Sequence, residues 1–369
     1  MKRKIDFFKL LAILIMTFLL ILSFAGGCAK PTTPAVPPPA EEKKDDAPPP
    51  ETKVELPKVK GRIGGIHPVE GPYTAALKKF AESVAKKTNN GLTFDVYPAS
   101  QLGGARELIE STQSGALEGT YVASAFYVPF MPTIAIPQLP YLFPSRDITY
   151  EVLIEGDLGK QILASLEAVN LKGVGFFEGG FQQLTANFPV RHPDDLQGKK
   201  IRVMENPVLI AQYQALGATP TPISFAELYT ALQQGVVDGQ ENPLGGIYDM
   251  KLYEVQKYIT LSDHAFLGIA LAFNKQWYDN LPAEYQKAMA EAAYEEALAL
   301  RKVIEEMEVK NMLPAIMNAG LEVIELTPEQ SKAFAEKAGP AAENALRGMM
   351  DPAGNELLDK VKKEIDKLR

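Results

Sequence analysis

From residue 59 onward, the apolar positions alternate between two periods. Val59 to Ile66 is a short apolar run and predicts a strand. Tyr73, Ala76, Leu77, Phe80 and Val84 then recur at helical spacing, with Lys78, Lys79, Lys86 and Lys87 mostly off that stripe. Asn89-Asn90-Gly91 ends the helix, because Asn and Gly tolerate the left-handed backbone of a helix cap. Leu92, Phe94 and Val96 alternate with Thr93, Asp95 and Tyr97, which is strand period, and Leu102 to Leu117 is helical again. Strand, helix, strand, helix predicts an α/β fold with a mainly parallel sheet.

A second set of such units follows. Gly173 to Phe177 and Lys199 to Met204 predict strands, and Pro207 to Leu216 a helix closed by Gly217. Thr219 to Pro222 reads as a loop broken by proline, Phe225 to Gln234 as a helix, and Val236 to Gly239 as a short strand and turn. Phe266 to Phe273 returns as an apolar strand, and little interrupts a long helix from Pro282 to about Met312. No short internal repeat is evident.

The first residues carry a different signal. Lys2, Arg3 and Lys4 precede the apolar run Leu10 to Phe24, which ends at Ala25-Gly26-Gly27-Cys28. A basic start, a short apolar core and small residues predict an export signal over 1–27. Small residues directly before Cys28 resemble a bacterial lipobox, with Ala25 in place of the usual bulky aliphatic residue. That resemblance implies lipid attachment at Cys28, hence a membrane-anchored protein outside the cytoplasm, and stable anchoring by acyl chains requires more than one. Residues 28–57 are rich in proline and carry the charged insert Glu41-Glu42-Lys43-Lys44-Asp45-Asp46, the composition of an extended tether.

Composition narrows the functional classes. The chain of 369 residues has a formal charge of −8, which gives no footprint for nucleic acid and no bulk attraction for an acidic ligand. A bound anion would need a local cation. Cys28 is the one cysteine, so no intramolecular disulfide forms, and His67, His192 and His264 lie too far apart in sequence to suggest a metal site. No nucleophile elbow, phosphate loop or His-Glu-x-x-His occurs, so an enzyme is not expected and no cofactor is called for.

The stretch Leu216 to Leu244, with Thr-Pro-Thr-Pro-Ile-Ser-Phe at 219–225 and Asp-Gly-Gln-Glu-Asn-Pro at 238–243, closely resembles the solute-binding subunits of TRAP (tripartite ATP-independent periplasmic) transporters, of the C4-dicarboxylate-binding, DctP-like type. Tyr97 to Gly103, Asp195 to Val203 and Tyr253 to Tyr258 followed by His264 agree with it. The resemblance covers nearly everything after residue 59. It implies a two-lobe clamshell with hinge strands and a long helix spanning both lobes. Lobe I is expected over 58–178 plus about 268–307, and lobe II over 179–267 plus about 308–369. Such proteins close over ligand by hinge motion. The implied partners are a small organic acid and the small and large integral membrane subunits.

The resemblance also implies a site. Arg202 matches the family's ligand-binding arginine, whose planar fork suits a carboxylate, and Asn242 matches its second partner. Glu205 and Phe225 fall at pocket-lining positions, and Glu241 and His264 at positions that order pocket waters. Gln182 departs from the pattern, standing where many relatives carry a second arginine. The expected ligand therefore has one tightly neutralised carboxylate plus neutral polar groups. A dicarboxylate stays open if another cation fills in. A binding protein of an ATP-driven importer, a ligand-presenting lipoprotein for a sensor and a structural or adhesive lipoprotein are the competing readings.

Overall fold

The computed structural model describes residues 56–369. The export signal, Cys28 and all of the tether except Leu56 and Pro57 lie outside them. Ten strands form one connected sheet: β1 (Val59–Gly65), β2 (Leu92–Tyr97), β3 (Gly119–Ala123), β4 (Leu171–Ala186), β5 (Lys200–Val203), β6 (Thr219–Pro222), β7 (Gly239–Pro243), β8 (Tyr258–Leu261), β9 (Phe266–Asn274) and β10 (Glu322–Glu325). Their order is β2-β1-β3-β9-β4-β7-β5-β6, with β8 on β4 and β10 on β8.

The sheet is mixed rather than mainly parallel. Pairs β1–β2, β1–β3, β5–β6, β5–β7 and β8–β10 are parallel, the expected α/β units. Every pairing made by β4 and the pairing of β3 with β9 are antiparallel. These two strands, β4 and β9, knit the halves. Over residues 171–181 β4 pairs with β9, and over 182–186 it passes to β7 and β8. The changeover falls at a register shift between Glu178 and Gly180, where Gly180 has φ +115°. Only glycine adopts that backbone without strain. β4 is thus far longer than the Gly173–Phe177 run expected of it. Its polar second half, Gln182-Gln183-Leu184-Thr185, has no strand signature of its own and is held by partners on both sides.

Two other expectations are corrected. Thr219–Pro222 is not a loop but the edge strand β6, hydrogen-bonded to β5. Pro220 and Pro222 are tolerated because an edge strand needs donors on one side only. The short strand expected at Val236–Gly239 begins at Gly239 and runs to Pro243.

All nine residues of β9 are buried, and Phe273 stacks on Trp277 with ring centroids 5.7 Å apart. Each such apolar side chain contributes roughly 1.5–3 kcal/mol on burial. The long helix runs from Ala283 to Met307 and buries Tyr285, Ala288, Met289, Ala292, Ala293, Leu300 and Ile304, a stripe at three- and four-residue spacing. Its small alanines let it lie close on β4 and on the helix Pro72–Lys87. The last residues expected in it, Glu308–Met312, form a wide five-residue turn instead, followed by a short helix Leu313–Asn318. Pro314 has no N–H to bond the preceding turn, which accounts for the loosening.

Candidate functional site

Arg202 occupies β5, the strand flanked by β6 and β7, with its side chain wholly buried. Its Nε donates to the carbonyl of Ile223 at 2.9 Å. Nη1 and Nη2 are buried and have no partner among the described residues. Burial pushes the guanidinium down to about 10, partly offset by the carboxylate of Glu241 nearby, so it stays charged at neutral pH. A buried charge with two unused donors is costly, and native proteins leave few such groups unpaired. Two free terminal nitrogens in one plane have the geometry that could grip a carboxylate.

The β-sheet register assembles the other polar groups around it. Arg202 lies opposite Gln240 on β7, while Leu184, Gln183 and Gln182 on β4 lie opposite Glu241, Asn242 and Pro243. Glu241 is buried, and one carboxylate oxygen accepts from Tyr213 Oη at 2.7 Å and from His264 Nε2 at 2.8 Å. Ser262 Oγ lies 2.8 Å from His264 Nδ1. Among the described residues the other Glu241 oxygen is buried without a partner, as is the amide oxygen of Gln182. Asn242 Nδ2 donates to the Gln240 amide oxygen, and Gln240 in turn donates to Thr185 at 2.9 Å. This network fixes the orientation of Asn242.

Asn242 and Phe225 line a narrow cavity of about 20 Å³ together with Met204, His67, Tyr73 and Phe126. That is room for about one water. The first three come from the β5–β7 half of the sheet and the last three from the β1–β3 half, so the two halves meet here. Five of the residues expected in the site, Arg202, Gln182, Glu241, Asn242 and His264, are thus buried in one polar region, and Phe225 caps it. Glu205 stands apart. Its carboxylate is 47% exposed and lies 3.8 Å from Nη1 of Arg106, on the rim, where it spans from one half to the other. It follows Met204, two residues beyond the end of β5, where the chain has left the strand and the side chain turns outward.

Sequence reading did not single out His67, Tyr73, Phe126 or Met204. His67 had no partner motif, and Tyr73, Phe126 and Met204 read as ordinary core residues. Their signal is positional: His67, Phe126 and Met204 follow strand ends, and Tyr73 lies in the first turn of the helix Pro72–Lys87. Among the described residues no group of three or more His, Cys, Asp or Glu is placed to hold a metal ion, and no helix is long and apolar enough to cross a membrane.

The family profile "Bacterial extracellular solute-binding protein, family 7" (DctP) matches residues 63–347. The C4-dicarboxylate-binding periplasmic protein DctP of Rhodobacter capsulatus is 38% identical over 271 residues, 73% of this chain and 81% of that protein. The 2,3-diketo-L-gulonate-binding periplasmic protein YiaO of Escherichia coli is 33% identical over 290 residues, 78% of this chain and 86% of its own. Among solved structures, a TRAP periplasmic solute-binding protein from Desulfovibrio salexigens with bound orotic acid superposes with a TM-score of 0.81 at 34% identity, covering 85% of this chain and 100% of its own. Its two-lobe architecture is the one seen here. The chain therefore belongs to family 7 of the bacterial extracellular solute-binding proteins, the DctP-like binding subunits of TRAP transporters.

Proposed function

We propose that this chain captures a small organic acid between its lobes, holds the carboxylate on Arg202, and delivers it to the integral membrane subunits of a TRAP transporter. The observation that carries this reading is the buried Arg202 guanidinium, with two terminal nitrogens left unpartnered. Relatives support the ligand class: solved homologues carry orotic acid, β-D-galacturonate and succinate, each a carboxylate. Asn242, Gln182 and Phe225 complete the pocket, while Glu241 and His264 hold its floor. The protein works by binding, not by turnover. Lobe I comprises 58–178 plus about 268–307, and lobe II 179–267 plus about 308–369, with the bend at the β4 register shift. Cys28 carries the lipid that keeps the protein at the outer face of the membrane.

A thermal-shift screen of organic acids tests this. A ligand at a hundred times its dissociation constant stabilises the folded state by about 2.7 kcal/mol. Arg202→Lys replaces a planar fork by a point charge, and each charge-assisted hydrogen bond contributes roughly 1.5–3 kcal/mol, so binding should weaken at least about tenfold. No stabilisation by any acid, or equal stabilisation of the variant, refutes the reading.

A further inference from the structure

Asp249 ends the short helix Leu244–Asp249, which follows β7, and its side chain meets the other half of the sheet. It faces the turn that leads from β1 into the helix Pro72–Lys87, where a Cβ on Gly71 would stand 2.7 Å from Asp249 Oδ2. Four residues earlier in the same short helix, Gly245 packs against Tyr73, where a Cβ would run into the phenol ring. The two helices thus form one seam between the halves, and Asp249 brings an ionisable group into it. Oδ2 is buried there with no hydrogen-bond partner among the described residues. A helix start ordinarily offers backbone donors to a carboxylate, but Pro72, first in this helix, has no N–H.

The charged and titratable groups nearby are engaged elsewhere or turned outward. Tyr73 Oη donates to the carbonyl of Gly179 at 2.9 Å. Glu178 and Glu308, which lie on the far side of Tyr73, share Arg146. Lys310 of the wide turn pairs with Glu306, and Glu254, beyond the short helix, accepts from Tyr229. Glu70, Lys78, Lys79 and Lys251 are exposed. A carboxylate buried without donor or counter-charge resists ionisation, and burial alone pushes Asp249 up to about 7.

We propose that Asp249 makes closure of the cleft proton-linked: the lobes close over ligand with Asp249 neutral, and its ionisation favours their opening and the release of ligand. This rests on the capture of an acid by lobe closure. When the lobes part, Gly71 and Tyr73 draw away from the short helix, water reaches Oδ2, and the carboxyl returns to its ordinary range. The closed form therefore binds more protons than the open one, and its advantage is lost as pH rises through about 7. Closing takes up a proton, and a rise in pH outside the cell loosens the hold on ligand. Glu178 and His67 are also shifted by burial, up to about 7 and down to about 4. Both remain in a variant of Asp249, so comparing variant with wild type at one pH isolates Asp249.

Calorimetry at pH 5.5 and pH 8.5 on the exported protein tests this, with orotate, succinate, D-galacturonate and galactonate, the acids held by solved homologues. At pH 8.5 Asp249→Asn, a neutral side chain of the same shape, should bind whichever acid the wild type binds about tenfold or more tighter. A damaged fold does not produce such a gain. At pH 5.5 the margin should shrink about fivefold or more, because the closed wild type then carries the proton itself. A variant that binds no tighter than the wild type at pH 8.5, or a margin equal at both pH values, overturns the proposal and leaves acid capture standing. Binding of none of the four acids, or binding that Arg202→Lys leaves undiminished, removes the capture reading and this proposal with it.

Discussion

Arg146 Nε lies 3.4 Å from a carboxylate oxygen of the buried Glu178, and its terminal nitrogens grip Glu308 at 2.8–3.0 Å. Glu178 sits at the β4 register shift, and Glu308 opens the wide turn that ends the long helix. One guanidinium thus ties together the two elements that pass between the lobes, at the point where each bends. Arg146→Met would leave Glu178 buried without its counter-charge. Removing one partner of a buried pair typically costs about 3–5 kcal/mol. A urea titration at pH 8, where Glu178 is ionised, followed through Trp277, which is packed between Phe94 and Phe273, should show a loss of that size. A loss below about 1 kcal/mol would mean Glu178 is already protonated or Glu308 alone holds Arg146.

Stability should fall as pH rises from about 5 to 8. Burial pushes Glu178 up to about 7 in spite of Arg146, and burial likewise pushes Asp249 up to about 7. Asp249 faces the start of the helix Pro72–Lys87, where one of its oxygens is buried without a partner among the described residues. In the unfolded chain both groups lose their protons near pH 4, whereas the folded chain keeps them until about 7. The folded state therefore binds more protons across this window, and its advantage is lost as pH rises through the folded values. The size is on the order of 3 kcal/mol for Glu178 and less for the partly exposed Asp249. Glu118 works in the opposite direction only at lower pH: burial pushes it up, but Arg62 holds it below the ordinary range, while His67, pushed down to about 4 by burial, offsets part of the fall up to about pH 6.5. Denaturant melts at pH 5 and pH 8 should show the drop in the wild type and a smaller one in Glu178→Gln with Asp249→Asn. A stability that rises over this interval would contradict the assignment.

How much of this was legible beforehand follows from where the information lies. The parallel β-α units read directly, because each strand and helix carries its own apolar period. The extent of β4 did not, since Gln182 to Thr185 is polar and becomes a strand only when β7 and β8 bracket it. Pro220 and Pro222 argued for a loop, because sequence alone does not reveal that this strand lies at an edge. The family motif pointed to Arg202 on β5, to Glu241 and Asn242 on the adjacent β7, and to His264 between β8 and β9, which the fold buries close together. It carried no information on His67, whose ring meets Phe225 from the other half of the sheet. Glu205 adjoins the same strand as Arg202, and only the strand's end decides that one side chain is buried and the other faces solvent.

Glu205 should matter little for affinity. Among the described residues its salt-bridge partner is Arg106 at 3.8 Å, and both side chains are about half exposed. Exposed pairs of this kind contribute roughly 0–1 kcal/mol. Because the pair spans the lobes, Glu205→Ala should weaken ligand binding by no more than about fivefold, through a less stable closed form, and the effect should shrink in high salt. Calorimetry at low and high salt reads this. A hundredfold loss independent of salt would return Glu205 to direct ligand contact.

Two glycines should respond in opposite directions to the same added methyl. Gly179 lies in the bend of β4, where a Cβ would sit 2.2 Å from the carbonyl oxygen of Leu267 on β9. Backbone on both sides leaves nothing flexible to give way, so Gly179→Ala must push the two spanning strands apart. Overpacking of this kind costs about 1–3 kcal/mol. Gly348 is exposed in the helix Pro328–Met349, and a Cβ there meets nothing within 4 Å. Alanine lowers the conformational freedom of the unfolded chain and suits a helix better, so Gly348→Ala should stabilise by roughly 0.4–1 kcal/mol. Thermal melts of the two variants side by side separate strand-bend packing from helix propensity. The Gly179 variant should also bind ligand more weakly, because the altered bend carries the lobes out of register at Arg202, whereas Gly348→Ala should bind as the wild type does. Equal melting temperatures for both variants would show that the bend relaxes freely and that the β4–β9 contact does not set the lobe geometry.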